Sequence, residues 1–228
     1  MTTTDQPIGR HGSPFVRRGF DAALLAGSLG LLAVCMVLVR DGEVGSLERT
    51  VFLAINGLPD FLYPVMWAFQ LAGILVVGPL VAVVALVLRK WRLAAAALSV
   101  TVLKLLGERA VKQIVERERP GTTVGAEAEL RGDVPSGGLS FVSGHAVMTA
   151  ALATIITPYL RGRWKWAPWI VVILNGTARV YLGAHNPLDI VGGMTLGIAI
   201  GCLANLVFGV PDQLSTSASN LGRDHPED

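Results

Sequence analysis

Six apolar stretches, at 22–39, 61–88, 93–115, 146–160, 166–182 and 188–210, set the terms for anything this chain can fold into. A helix needs about 20 mostly apolar residues to cross the roughly 30 Å hydrocarbon core of a bilayer. Only 16% of the residues are charged, where a soluble domain carries about 25%. Lipid is therefore the expected solvent. The predicted fold is all-α: a polytopic membrane bundle of six transmembrane helices. The second stretch is longer than one crossing requires, so its part up to residue 72 reads as a separate interfacial or tilted piece. The third is interrupted by charges.

Lys and Arg in short loops set orientation. Arg10, Arg17 and Arg18 precede the first stretch, Arg89, Lys90 and Arg92 precede the third, and Arg161, Arg163 and Lys165 precede the fifth. These segments alternate correctly and are expected on the cytoplasmic side, with both termini. Trp91, Trp164, Trp166 and Trp169 cluster at the same boundary, as interfacial aromatics do. The first-to-second loop carries Arg40 and Arg49 against Asp41, Glu43, Glu48 and Asp60, which marks it external. Residues 1–16 and 212–228 are polar and expected as disordered tails, leaving 17–211 as a six-span membrane domain. Arg17-Arg18 before an apolar run imitates an export signal, but the run exceeds a signal-peptide core and no small-x-small cleavage site follows. The residues before Cys35 imitate a lipoprotein processing site poorly. Cys35 and Cys202 both lie in apolar runs and read as small buried hydrophobes. A formal net charge of +2 with no basic, aromatic-laced patch gives no reason to expect nucleic acid. Gly193, Gly197 and Gly201 recur every four residues and leave bare backbone on one helix face for close packing.

Three short elements carry the chemistry. Lys112 and Arg119 are two helical turns apart and share a face; they either bind an anion, snorkel to the interface or pair with Glu108, Glu116 or Glu118. Ser143, Gly144 and His145 stand before the fourth stretch. Ser143 suits a helix N-cap, Gly144 admits a close ligand, and the first turn of the helix offers free N–H groups to an anion. Arg179, His185 and Asp189 surround the start of the sixth stretch, where Asn186 suits the cap and Pro187 the first helical position. Asp189 completes that cap or fixes the tautomer of His185, or does both. The predicted topology brings all three elements to one external level of the bilayer. Three cations, a helix N-terminus and two histidines suit a phosphate.

These residues resemble the three-part signature of the type 2 phosphatidic acid phosphatase superfamily, which also includes vanadium haloperoxidases. The signature reads K-x6-R-P, P-S-G-H and S-R-x5-H-x3-D. Lys112, Arg119 and Pro120 match the first part. Ser143, Gly144 and His145 match the second with Val142 in place of proline. Arg179, His185 and Asp189 match the third with Ala178 in place of serine. Pro135, Ser136 and Gly137 imitate the second part, but Gly138 follows where histidine is needed. Losing the proline removes a rigid turn; losing the serine removes a hydroxyl donor, and a donor aimed at developing charge is worth about 2.7–4 kcal/mol.

The resemblance implies that His185 attacks phosphorus, that Asp189 orients it, and that His145 protonates the leaving group and activates water. It implies that Lys112, Arg119, Arg179, Ser143 and Gly144 bind the phosphate, with no metal and no cofactor. The implied function is an integral enzyme of the cell membrane, site outward, that hydrolyses a lipid phosphate: a polyprenyl phosphate or diphosphate, phosphatidate or phosphatidylglycerol phosphate. Its partners would be that substrate and the surrounding membrane lipids. The alternative, motivated by Val142 and Ala178, is a weak or inactive member acting as an anion-binding membrane protein or transporter. A haloperoxidase matches poorly, because those relatives are soluble. Lys104 and Glu108, on the face of Lys112, read as a pair facing the bundle interior. The stretch between Pro120 and Phe141 is expected to help select the lipid, with Glu127, Glu129 and Asp133 suited to repel or gate an anion.

Overall fold

The computed structural model describes residues 15–212; the tails expected at 1–16 and 212–228 lie outside it, apart from Phe15, Val16 and Asp212. The helices are α1 (Gly19–Leu38), α2 (Ser46–Asn56), α3 (Tyr63–Leu71), α4 (Val77–Val87), α5 (Trp91–Ile114), a single turn α6 (Pro120–Thr123), α7 (Gly144–Ile156), α8 (Ala167–Tyr181) and α9 (Pro187–Phe208). Phe15 and Val16, assigned to the tail from sequence, form a two-residue strand, β1 (Phe15–Val16), antiparallel to β2 (Val210–Pro211). The Arg92 guanidinium lies 4.3 Å from the Phe15 ring centre. So short an apolar pair leaves no periodic signal in a sequence.

The chain is mostly helical, with few strands. Among the described residues two helices, α1 and α9, are each long and apolar enough to cross a membrane alone, or three spans if α2 and the segment 60–73, which meet at 75°, count as one. The long second stretch is broken in two, with α3 ending at Leu71 and α4 starting at Val77. A further helix, α2, occupies what reads in sequence as an external loop. Its signal is faint because it spans only 11 residues and carries Glu48 and Arg49. Its inward face, Glu48, Phe52 and Asn56, repeats every four residues, one helical face.

At the centre, α9 packs against α7, α1 and α5. The glycines of α9 make the closest of these contacts. A Cβ on Gly193 would stand 2.6 Å from the Ser143 carbonyl oxygen, and one on Gly197 would stand 2.8 Å from Ala150 Cβ. Dispersion contacts at such backbone separations drive helix association where no water is displaced. The outer faces of α1, α4 and α5 expose Leu29, Val34, Val37, Val83, Val87, Leu98, Val102 and Leu106. An apolar outer surface this extensive suits lipid rather than water.

The two ends of α9 differ in chemistry. At its C-terminal end, Arg17 Nε donates to the Leu206 carbonyl (2.8 Å) and Arg92 Nη1 to the Phe208 carbonyl (2.8 Å). Buried Asp21 pairs with Arg18 (2.8 Å) and accepts from Asn205 Nδ2 (3.1 Å). Cations favour a helix C-terminus, where carbonyls lack partners. The sequence-predicted site residues stand at the other end.

Gly197→Ala is expected to lower stability by about 1–3 kcal/mol, because overpacking outweighs the roughly 1 kcal/mol of helix propensity gained. Gly27→Ala in α1, where a Cβ meets nothing within 4 Å, is expected to be neutral or slightly stabilising. Thermal unfolding of the two variants in one detergent checks the contrast.

Candidate active site

The start of α9 is the anchor of the site. Asn186 occupies its N-cap and Pro187 its first turn, as the sequence indicates. Asp189 Oδ2 accepts the Asn186 backbone N–H at 2.8 Å, closing the turn that holds His185. The same oxygen lies 3.6 Å from His185 Nδ1, facing it beyond hydrogen-bond length. Asp189 therefore both caps the helix and stands behind the imidazole. His185 is 2% exposed, in the connection between α8 and α9.

The start of α7 lies alongside. The Ser143 N–H donates to the Asp189 carbonyl at 3.0 Å, tying the two helix starts together. Ser143 is the N-cap residue, but its side chain makes no capping bond, and its buried Oγ has no partner in the described structure. His145, in the first turn of α7, is within electrostatic reach of His185, Arg179, Lys104 and Glu108.

Three cations close the site. Arg179, near the end of α8, is 7% exposed and donates from Nη1 to Gln70 Oε1 of α3, while its Nε has no partner. Arg119, just before α6, donates from Nη1 to the Ala184 carbonyl at 2.9 Å and feels the charges of Asp189 and Glu108. Lys112 is spent on Glu108 at 2.7 Å, and Lys104 binds the other oxygen of that carboxylate at 2.7 Å. A Cβ on Gly144 would strike the Glu108 carboxylate. Glu108 thus lies against the first turn of α7, where an anion would meet free N–H groups. Lys104 and Glu108 do form the interior pair expected of them, with Lys112 as a third member.

The structure therefore gathers His185, Asp189, His145, Ser143, Gly144, Arg179 and Arg119 at one end of the bundle. Lys112 joins them through Glu108. Burial pushes the His185 imidazole down to about 4, with Arg179 and Arg119 adding to the effect and Asp189 opposing it. At neutral pH the ring is uncharged and has a free electron pair.

Sequence reasoning missed Arg117 and Glu48. Arg117 is fully buried and donates from Nη1 to Glu48 Oε1 (3.0 Å) and Asp189 Oδ1 (3.1 Å), and from Nη2 to Glu48 Oε2 (2.6 Å). Burial alone would push its guanidinium down, but the Glu48 and Asp189 carboxylates outweigh that and hold it above the ordinary arginine value. Asn56 and Gln70 were missed as well. Asn56 Nδ2 donates to the carbonyls of Glu129 and Tyr181 (2.9 Å each), fastening the 120–141 segment to the end of α8. Two of the three acidic residues of that segment are paired. Glu127 pairs with Arg49 at 2.6 Å and Glu129 with Arg131. Asp133 lines a cavity of about 120 Å³ beside Arg179, Gln70 and Trp67. Pro135, Ser136 and Gly137 lie in loop, as expected.

If this end of the bundle is an anion cradle, its charge balance gives opposite expectations for two variants. Glu108→Gln releases Lys112 and removes a competing carboxylate, so inorganic phosphate should bind several-fold more tightly. Arg179→Gln removes a charged hydrogen bond worth about 1.5–3 kcal/mol and should weaken binding by roughly 10–100-fold. Titration calorimetry on both variants measures the two changes.

Residues 90–210 match the model of the PAP2 superfamily. The decaprenylphosphoryl-5-phosphoribose phosphatase of Mycobacterium tuberculosis is 36% identical over 101 residues, covering 43% of this chain and 52% of that protein. The chain thus spans about half the length of the curated relative it matches there. The crystal structure of Aquifex aeolicus LpxE superposes with a TM-score of 0.64 at 24% identity, over 71% of this chain and 96% of that one. The transmembrane PAP2-type phosphatidylglycerolphosphate phosphatase of Bacillus subtilis superposes with a TM-score of 0.65 at 20% identity, over 88% and 98%.

Proposed function

The chain belongs to the PAP2 superfamily, and from that premise we propose that it is an integral membrane lipid phosphate phosphatase working through a phosphohistidine. The observation that carries this reading is His185, neutral and buried, with Asp189 at 3.6 Å on one ring nitrogen and the other left for attack. In the proposed reaction His185 Nε2 bonds to phosphorus as the bond to the lipid oxygen breaks, and His145 delivers a proton to that oxygen. Asp189 balances the positive charge that develops on the ring. His145 then takes a proton from water, which attacks the phosphohistidine and releases phosphate. Arg119 and Arg179 hold the phosphate oxygens in a form suited to bidentate contact, Lys112 turns to them from its pair with Glu108, and Ser143 and Gly144 add donors. Phosphoryl transfer asks chiefly for positioning and charge stabilisation, which these side chains supply without a metal.

A lipid substrate is supported by the relatives' names and by a groove of about 710 Å³ along α5. Its lining joins apolar Leu105 and Leu139 to Arg109, Lys112 and Gln113, with the Glu108 and Glu116 carboxylates among them, so an acyl or prenyl chain and a head group each find surface there. Six spans over the 17–211 unit, cytoplasmic termini and an outward site are supported by the basic loops of the sequence. They are supported too by the gathering of Arg17, Arg18 and Arg92 at the end of α9 opposite His185. The 22 residues of α9 separate those ends by about 33 Å, a membrane's thickness.

Phosphate release from polyprenyl phosphate, polyprenyl diphosphate, phosphatidate and phosphatidylglycerol phosphate, with chelator present, tests the reading. At least one should be hydrolysed, and His185→Ala should lose activity by about 10³-fold or more. Unchanged release by His185→Ala would remove the nucleophile assignment. Anion binding without turnover of any substrate would favour a non-catalytic, anion-binding member of the family.

A further inference from the structure

Behind the proposed nucleophile lies a buried ionic cluster that phosphate need not touch. It is built from three distant parts of the chain: Glu48 of α2, Arg117 between α5 and α6, and Asp189 of α9. Arg117 has no exposed side-chain surface, and Asp189 has none either. The guanidinium forks. Nη1 is shared between Glu48 Oε1 and Asp189 Oδ1, and Nη2 bonds Glu48 Oε2 and, at 3.1 Å, the Glu43 carbonyl. Glu48 Oε1 also accepts the Leu188 N–H at 2.9 Å, an otherwise free donor of the first turn of α9. Both carboxylates are therefore fastened to the turn that carries His185.

Resting on the phosphatase reading above, we infer that Arg117 and Glu48 are positioning residues, which hold Asp189 in the orientation that directs His185 at phosphorus. Asp189 has two oxygens with separate tasks. Oδ1 is fixed by Arg117, and Oδ2 is thereby aimed at the Asn186 N–H and His185 Nδ1. Charge supports the same conclusion. Two carboxylates against one guanidinium leave the cluster with one surplus negative charge. A neutral imidazole leaves it unbalanced; an imidazole that has attacked phosphorus is cationic and balances it. The cluster thus interacts more strongly with the reacting state than with the resting one, and only such a difference accelerates a reaction. Arg117 cannot be a phosphate ligand in this arrangement, because all its terminal nitrogens are committed and it is sealed from the surface.

Glu48→Gln keeps the size of the side chain and removes the surplus charge. His185 is faced by Asp189 of α9, Arg119 of the 115–119 segment, Arg179 of α8 and His145 of α7, and Asp189 is joined in turn through Arg117 to Glu48 of α2. Of these, only Glu48 changes. The full chain is assayed in detergent on whichever of the four lipids named above the parent hydrolyses. The folded Glu48→Gln protein should show kcat lowered 10–100-fold, KM within twofold of the parent, and the acid limb of the kcat–pH profile displaced to lower pH. That displacement follows because a negative charge that favours protonated His185 has gone. A kcat equal to the parent's, or a lowered kcat with an unmoved acid limb, overturns the inference.

If Glu48→Gln does not fold, Arg117→Lys answers the same question. It keeps the charge but loses the fork, so kcat should fall at least tenfold with KM unchanged; parental kcat overturns the inference. His185→Ala run alongside separates this inference from the reading it rests on. An inactive His185→Ala beside a fully active Glu48→Gln defeats the positioning role alone. An active His185→Ala defeats the nucleophile assignment and this inference with it, as does the absence of turnover by the parent of all four lipids named above.

Discussion

The bond from the Ser143 N–H to the Asp189 carbonyl, 3.0 Å long, is the contact on which the site depends. It joins the first turn of α7 to the first turn of α9, so His145 and His185 arrive at one level although 40 positions separate them in sequence. The bond is possible only because the two helices approach to backbone contact, and that approach requires Gly193 and Gly197 to lack side chains. Between helices in lipid there is no water to expel, so shape complementarity of this kind must supply the attraction. A packing stripe with no chemistry of its own thus sets the geometry of the residues that have it.

Charge is the second organising force, and it is concentrated where it is most costly. Removing an ion from water costs several kcal/mol unless a partner repays it. The protein repays it in two clusters at the same end of the bundle. In one, Glu108 holds Lys104 and Lys112; in the other, Arg117 holds Glu48 and Asp189. The first cluster is positive by one unit and lies against the start of α7, so it attracts an anion. The second is negative by one unit and lies behind His185, so it favours a cationic ring. In the proposed reaction the two signs flank the path of the phosphate from a lipid oxygen to a histidine nitrogen.

Much of this was legible in the residues alone. Lys112, Arg119, Ser143, Gly144, His145, Arg179, His185 and Asp189 stand at spacings that survive as short motifs, because each group lies within one short junction: the end of α5 and the start of α6, the start of α7, and the turn from α8 to α9. Arg119 stands past the end of α5, so it does not share a helical face with Lys112 as the spacing suggested. The start of α9 could be read in full from Asn186, Pro187 and Asp189. Other features had no such signature. Arg117 sits in a run of alternating charges, Glu116 to Arg119, which reads as a solvated surface until the fold buries one member. Glu48 is 69 positions from Arg117, and no local pattern announces a pair formed across that distance. The same holds for Asn56 and Gln70, whose partners lie on other helices. The break of the second stretch near residue 72 could be read from its excess length, while α2 forms from residues too polar to be noticed.

The central claim is that phosphate passes through His185. The most direct measurement is a rapid quench of the full chain turning over a phosphate-labelled lipid, stopped in alkali and read by peptide mass spectrometry. The account predicts a single labelled side chain, His185, whose phosphate is stable to alkali and lost in acid. Label on any other residue, or rapid turnover with no protein-bound phosphate at any quench time, would contradict it.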